Sequence, residues 1–412
     1  MLDGQGRHLV LRGEDVSGAE YTPTTQALPY DAADFRAIRA LGADVVRLPI
    51  AWALIEPTEG HFDQAAIDRA RQIVAWAGAA GLHVVLDMHQ YLWSPCFDGN
   101  GMPPWAVPNC PTTPPTTIAG QEADTLVGEN AFWHSPTLQS DFAAAWVRVA
   151  KAVGQPSYLL GYDILNEPGP GLIPNEVFEQ SYLAPFYRAV GARLRAVDPG
   201  ALLFLEPSIL NGLVNGSSEF LGPIGLDRVV YEPHQYGADS FNADSVVSVA
   251  DVGGPSQFAP DLAIDLAVAR RIGAAVWLGE WGAITSPTSV EPDSYVADDL
   301  TAQDSVLLGS AYWSYDSAAD QPGIEAQLRR ISPMAIAGTP ESFSTGTRVM
   351  SLAWVSDGGE TLISVPSGCD PAVRVTQGSA QSGRAPATVA GVPAAVWVRA
   401  ATGSSVAATV SC

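Results

Sequence analysis

Lysine is nearly missing from this sequence: Lys151 stands alone, and the 21 basic residues, otherwise all arginine, face 44 acidic ones. The net charge of −23 repels a phosphate backbone, which excludes a nucleic-acid partner, and it opposes adsorption to anionic membranes through basic patches. Long apolar runs are missing too. None approaches the ~18 uncharged residues that span a bilayer, so a soluble protein is expected. Met1 to Arg7 has no basic stretch leading into an apolar one, and a secretion leader is therefore not expected within this sequence. Cysteine is scarce, and the four present form neither C-x-x-C nor a Cys/His cluster, so no zinc site is expected. They fall into two local pairs, Cys96 with Cys110 and Cys369 with Cys412, which read as disulfides and hence as a secreted protein. Each bridge would be worth roughly 3 to 4 kcal/mol in the chain-entropy model. G-x-x-x-x-G-K, H-E-x-x-H and G-x-S-x-G are all absent, which leaves phosphate-loop, zinc-protease and serine-hydrolase chemistry without support.

What the 412 residues do contain is 47% apolar residues with 39 Gly and 32 Pro, the mix of a globular protein rich in loops. Short aliphatic runs alternate with amphipathic stretches as far as residue 316, an order that signals a parallel sheet. The runs predict strands at His8 to Arg12, Val45 to Ile50, His83 to His89, Leu159 to Asn166, Leu202 to Glu206, Val229 to His234, Ala275 to Glu280 and Ser310 to Tyr315. Helical periodicity marks Ala32 to Leu41, Ala65 to Ala80, Leu138 to Val153, Val177 to Val197, Pro260 to Ile272 and Ser294 to Leu307. Such a series predicts a (β/α)₈ barrel, an α/β fold, over residues 1–332. Gln90 to Pro136 reads as one long loop on the barrel's C-terminal rim, braced by Cys96–Cys110. Beyond residue 332 the texture changes to short alternating runs, at Arg348 to Val355, Thr361 to Val365, Val373 to Thr376 and Ala395 to Arg399. These predict an antiparallel β-sandwich over 333–412.

Acidic and polar residues fall at the strand ends that face one mouth of such a barrel. Asn166-Glu167-Pro168 closes the fourth strand, and Gly279-Glu280-Trp281-Gly282 closes the seventh. Two carboxylates so placed suit glycosidic cleavage, one protonating the departing oxygen while the other attacks the anomeric carbon or activates water. Other strand ends supply Arg47, His89, His234, Tyr236 and Trp313. Arg47 and Tyr236 would keep Glu280 ionised, and Glu167 would start the cycle protonated, with the higher pKa. Trp313 offers a pyranose an apolar face, while His89 and Asn166 offer its hydroxyls partners.

In order and strand position, Arg47, His89, Asn166-Glu167, His234, Tyr236, Glu280 and Trp313 resemble the signature of glycoside hydrolase family 5. Within that family the chain looks most like the endoglycoceramidases. The matching stretches are Ala43 to Leu48 with Trp52 and Glu56-Pro57, Leu86 to Gln90, Pro103 to Ala106, Phe132-Trp133, Tyr162-Asp163 and Tyr312 to Ser314. The resemblance implies a retaining hydrolase that cuts the β-bond between an oligosaccharide and ceramide. Glu280 would be the nucleophile and Glu167 the acid/base, with carboxyls ~5 to 5.5 Å apart and no metal or organic cofactor. Two departures fall in the expected sugar site: Tyr91 where the family carries an acidic residue, and Glu20 where glucosylceramide-type enzymes carry a lysine. They point toward the branch acting on galactosylceramide-linked oligosaccharides. Trp93, Phe97, Met102, Trp105, Val107, Phe132 and Trp133 would either cradle the lipid chains or pack their loop on the barrel. A monomer in transient contact with a membrane surface is expected. Two other readings remain open at this point: a β-glucanase or β-mannanase acting on polysaccharide, and a carbohydrate-binding protein without catalysis.

Overall fold

The computed structural model describes residues 1–22, 28–210, 221–236, 254–283, 292–315, 322–385 and 395–412. The first barrel strand, β1, is Arg12–Asp15, followed by β2 Val45–Ile50, β3 His83–Met88, β4 Leu159–Asp163 and β5 Leu202–Leu205. Strands β6 (Val229–Tyr231 and His234–Gln235) and β7 (Ala275–Val276 and Leu278–Trp281) are each interrupted once, and β8 is Ser310–Tyr312. Parallel pairing runs from β1 through β6 in order. The first segment of β6 then pairs with the first of β7, the second with the second, and β7 joins β8, which returns to β1 at Ser310↔Arg12. The ring closes, giving the (β/α)₈ barrel.

The helices outside it have local reasons to start and stop. Helix α1, Ala32–Leu41, opens on an Asp31/Asp34 capping box and ends at Gly42, whose φ of 107° suits glycine. Helix α2, Gln64–Ala79, starts where Asp63 accepts from the Ala65 and Ala66 amides, and it buries Ile67, Ile73 and Val74 against the sheet.

Inside the ring, side chains stack by the two-residue period of a strand. Leu11, Val45, Val85, Phe204, Val230, Trp277 and Ala311 form an apolar plug. Two residues further along β2, β3, β5 and β6 come Arg47, Asp87, Glu206 and Glu232, so an ionisable layer lies directly above an oily one. On β7 the step is three residues, Trp277 to Glu280, because that strand carries an irregularity between Leu278 and Trp281.

Two expectations need correcting, and one open alternative is decided. His8–Leu9 is not a barrel strand; it pairs antiparallel with Ser332–Ile336, and the barrel strand starts at Arg12, where the polar run Arg-Gly-Glu-Asp hides it. The stretch from Gln90 to Pro136 is not all loop. It contains helix α3, Ile118–Trp133, capped by the Thr117 hydroxyl, whose apolar residues fall on more than one side and so give no amphipathic signal. And Trp93, Phe97, Met102, Val107, Phe132 and Trp133 are buried with the barrel's own core, so they pack this rim segment rather than line an open lipid channel.

Two antiparallel sheets follow the barrel. Ser332–Ile336, Glu360–Ser364, Val396–Ala400 and Ala380–Arg384 join His8–Leu9 in one; Gly338–Ser344, Val349–Ser356, Ser405–Ser411 and Ala372–Gln377 form the other. Their facing sides enclose Ile336, Met350, Trp354, Ile363, Val398 and Val410. Arg39 crosses to the Ser364 hydroxyl at 2.8 Å, and Arg12 bonds Thr345, which docks this sandwich to the barrel's N-terminal end. Both disulfides are formed, Cys96–Cys110 in the rim segment after β3 and Cys369–Cys412 closing the C-terminus. Among the described residues no helix is long and apolar enough to cross a membrane.

Candidate active site

Arg47 is the hub. Fully buried on β2, it meets Asp15 (3.1 Å), Asp87 (3.1 Å), Asp163 (2.6 Å), Glu206 (3.2 Å), Glu232 (3.4 Å) and Glu280 (2.6 Å), and donates to Asn166 Oδ1 at 2.7 Å. One guanidinium cannot balance six carboxylates out of water, so most of them must hold protons. Burial raises Asp15, Asp163, Glu206 and Glu232, and lifts Asp87 to about 8. Glu280 is the exception. Burial pushes it up as well, but the charges of His234 and Arg47 and the Tyr236 hydroxyl at 2.9 Å outweigh that and hold it below the ordinary carboxylate range. The layer therefore concentrates its negative charge on Glu280.

Glu167 sits at the end of β4 with φ 43°, in the left-handed region that a β-carbon disfavours. Two partners hold it there. Its N–H donates to Glu206 Oε2 at 2.8 Å, and the Gln90 amide donates to the carbonyls of Glu167 (2.9 Å) and Asn166 (3.2 Å). The Asn166 amide in turn donates to the Gln90 carbonyl at 2.9 Å. His234 Nδ1 lies 3.1 Å from Glu167 Oε1 and 3.6 Å from Glu280 Oε2, and its Nε2 lies 3.3 Å from Glu206. Burial disfavours the imidazolium, yet Glu206, Glu280 and the Glu167 bond raise the His234 pKa well above its usual value.

His89 bonds Asp87 at 2.8 Å and stacks on Trp313 with ring centroids 5.2 Å apart and planes 8° from parallel. One face of Trp313 is thus covered by His89. Burial lowers the His89 pKa, so a neutral ring is favoured. The Trp313–Ser314 peptide is cis. Tyr91 is 53% exposed on the rim, whereas Glu20 is buried, accepting from the Ser17 hydroxyl and the Gly18 amide. The rim is held from below: Trp133 donates to the Gly169 carbonyl at 2.7 Å, and Glu129 accepts from Gly171 N–H at 3.1 Å.

One ligand atom each from Glu167, His234 and Glu280 lies within 4.8 Å of the others. A carboxylate pair at that spacing has room for a covalent glycosyl intermediate and too little for an interposed water, as retention requires. The same three groups form a donor set able to hold a divalent cation.

All ten candidate residues are described, and Arg47, His89, Asn166, Glu167, His234, Tyr236, Glu280 and Trp313 form one connected cluster, with Glu20 and Tyr91 at its edge. Sequence reasoning missed Asp15, Asp87, Asp163, Glu206 and Glu232 as site residues, and Gln90 as a support for Glu167. The two-residue stagger above the apolar plug is the signal that would have found them on β3, β5 and β6.

This equipment is that of a retaining glycoside hydrolase. A family model described as Cellulase (glycosyl hydrolase family 5) matches residues 7–319, and the chain belongs to that family. Among curated proteins it is 27% identical over 375 residues to endoglycoceramidase I of Rhodococcus hoagii, covering 82% of this chain and 72% of the relative. It spans only about half of the endoglycoceramidases of Cyanea nozakii (56%) and Hydra vulgaris (47%). Among solved structures, endo-glycoceramidase II of Rhodococcus sp. with an iminocyclitol superposes with TM-score 0.83 at 26% identity, covering 100% of this chain and 99% of that one. The same protein has been solved as a lactosyl-enzyme intermediate (25% identity, TM-score 0.82, 99% of that chain) and as a ganglioside GM3 complex (24%, 0.81, 98%). An endogalactoceramidase crystal structure matches with TM-score 0.80 at 26% identity, covering 100% and 97%.

Proposed function

We propose that this protein hydrolyses the β-glycosidic bond between the oligosaccharide and ceramide of glycosphingolipids, with retention of configuration. The observation that carries the reading is the approach of Glu167, His234 and Glu280 to within 4.8 Å at the barrel mouth. Glu280, kept anionic by His234 and Arg47, attacks the anomeric carbon; Glu167 gives its proton to the bridging oxygen, and ceramide departs as a primary alcohol. Glu167, now a carboxylate, takes a proton from water, and the resulting hydroxide displaces Glu280 to release the sugar. Arg47 and Tyr236, each bonded to a different oxygen of Glu280, orient it for attack. Likeness to endoglycoceramidases supports the lipid substrate, and the likeness to an endogalactoceramidase, with Tyr91 and Glu20 in the sugar site, keeps galactosylceramide-linked glycans within it. Two disulfides favour an exported protein, working as a monomer in passing contact with a lipid surface.

The test is release of an intact oligosaccharide from lactosylceramide and from a galactosylceramide-linked oligosaccharide, beside soluble β-glucan and β-mannan. Oligosaccharide from either lipid, with the polymers uncut, is the expected result. Depolymerisation of the glucan or mannan with both lipids intact would overturn the lipid reading. Glu280→Gln should lower turnover by roughly four or more orders of magnitude with the far-ultraviolet spectrum unchanged; near-wild-type turnover would overturn the nucleophile assignment.

A further inference from the structure

The eight segments that leave the C-terminal ends of the barrel strands are 16–31, 51–63, 89–135, 164–183, 206–227, 236–258, 282–309 and 313–328. None of the 21 basic residues falls within any of them, and each carries at least two acidic residues. Arginines lie instead on outer helices, at strand entrances and on the sandwich, as with Arg71, Arg193, Arg12 and Arg399. The cations that do reach the mouth are already committed. Arg47 is wholly buried among carboxylates, and His234 is wedged between Glu167, Glu206 and Glu280.

Among the described residues beside these groups, uncharged donors and acceptors surround one buried acid, Glu20. Tyr21 and Tyr91 are each about half exposed, and Tyr21 lies within electrostatic reach of Glu20, Tyr91 and Glu280. Beside Tyr21 is Asn100, 3% exposed, whose side chain hydrogen-bonds the Tyr21 hydroxyl. Phenol and amide groups both donate and accept, which suits a ligand that does the same, as a sugar hydroxyl does. A carboxylate or sulfate only accepts. Among the described residues of this mouth it would meet the negative charge of Glu280 and no free cation, in a cleft whose low-dielectric walls focus the field.

We propose that the site selects uncharged oligosaccharides and discriminates against glycolipids whose glycans carry a carboxylate or sulfate. The proposal rests on the glycolipid-hydrolase reading and sets this chain apart from the neighbour solved with ganglioside GM3, an anionic glycolipid. The experiment compares kcat/KM on lactosylceramide with that on its sialylated counterpart, in the same non-ionic micelles, at low and high salt. The neutral lipid should be cleaved at least about tenfold faster at low salt, with the gap narrowing as salt screens the mouth. Tyr91→Arg, which adds a cation on the rim, should raise the sialylated-to-neutral ratio several-fold. Equal rates on the two lipids would overturn the proposal, as would a gap indifferent to both salt and Tyr91→Arg, which would assign the discrimination to shape. Cleavage of neither lipid, with the galactosylceramide-linked oligosaccharide also left intact, would defeat the hydrolase reading itself; if that oligosaccharide alone is cut, the same comparison is read on it and its sulfated counterpart.

Discussion

Glu206 does three things at once: it accepts the Glu167 amide proton, touches Arg47 and lies 3.3 Å from His234. It is a positioning residue, since it acts on the reacting groups through the Glu167 backbone and through His234. Glu206→Gln keeps the volume and weakens those contacts. A hydrogen bond to a charged group is worth about 1.5 to 3 kcal/mol, so kcat should fall roughly 10- to 100-fold. A bulk structural role would lower thermal stability alone; a positioning role should also move the pH profile of kcat, because His234 then loses the titratable partner at its Nε2. Wild-type kcat with an unmoved profile would count against it. The Glu167, His234 and Glu280 donor set prompts a second measurement. In the scheme above all three groups serve the sugar and its proton, so activity should survive exhaustive chelation; loss restored by a single divalent ion would assign them to a metal instead.

Among the elements, the rim segment after β3 shows most clearly what holds the mouth in shape. Its first half is closed by Cys96–Cys110, its helix α3 buries Phe132 and Trp133, and Trp133 grips the loop that follows Glu167. Removing the bridge in Cys96→Ala/Cys110→Ala should cost about 3 kcal/mol for a loop of this length and open the segment to limited proteolysis before the barrel yields. Cleavage beginning elsewhere would place the weakest element outside this segment. The same segment marks where sequence legibility ran out. The strand ends that carry Glu167 and Glu280 were readable because Asn166-Glu167-Pro168 and Gly279-Glu280-Trp281-Gly282 combine a strand's run with a chain-breaking residue. Helix α3 was not, because its apolar residues, exposed Ile118 and Val127 beside buried Phe132, follow no single face. Strand β1 was misplaced for the opposite reason. Its side chains are polar because Asp15 serves the ionisable layer and Arg12 docks the sandwich, so tertiary context overrode the propensity on which strand reading relies. The buried acids escaped because a lone acid within or just after a strand says little by itself; its meaning comes from its step above the apolar plug and from Arg47, on which acids of six strands converge.

For the whole molecule, the excess of buried acids sets a pH dependence whose sign follows from linkage. A group whose folded pKa is raised contributes stability that is complete below its unfolded pKa and is lost as pH rises through the folded one. Asp87, Glu14 and Glu129, all raised by burial to about 8, and Asp44 and Asp299, raised to about 7, behave in this way. His234, raised by its acidic partners despite burial, adds to the same trend. Glu280, held low, contributes oppositely and only in acid, where falling pH protonates it. Thermal melts should therefore show the protein most stable at mildly acidic pH, with Tm falling between about pH 5 and 8. A Tm that is flat or climbs over that range would mean these acids are not buried uncharged.

The central claim is that Glu280 forms a covalent bond to the sugar while Glu167 moves the proton. Incubation with a 2-deoxy-2-fluoro glycosyl fluoride, followed by intact-mass measurement and peptide mapping, tests it directly. The account predicts one added glycosyl mass, located on the peptide that contains Glu280 and absent from Glu280→Gln. A label on any other carboxylate, or turnover of the reagent with no covalent adduct at any time, would contradict it.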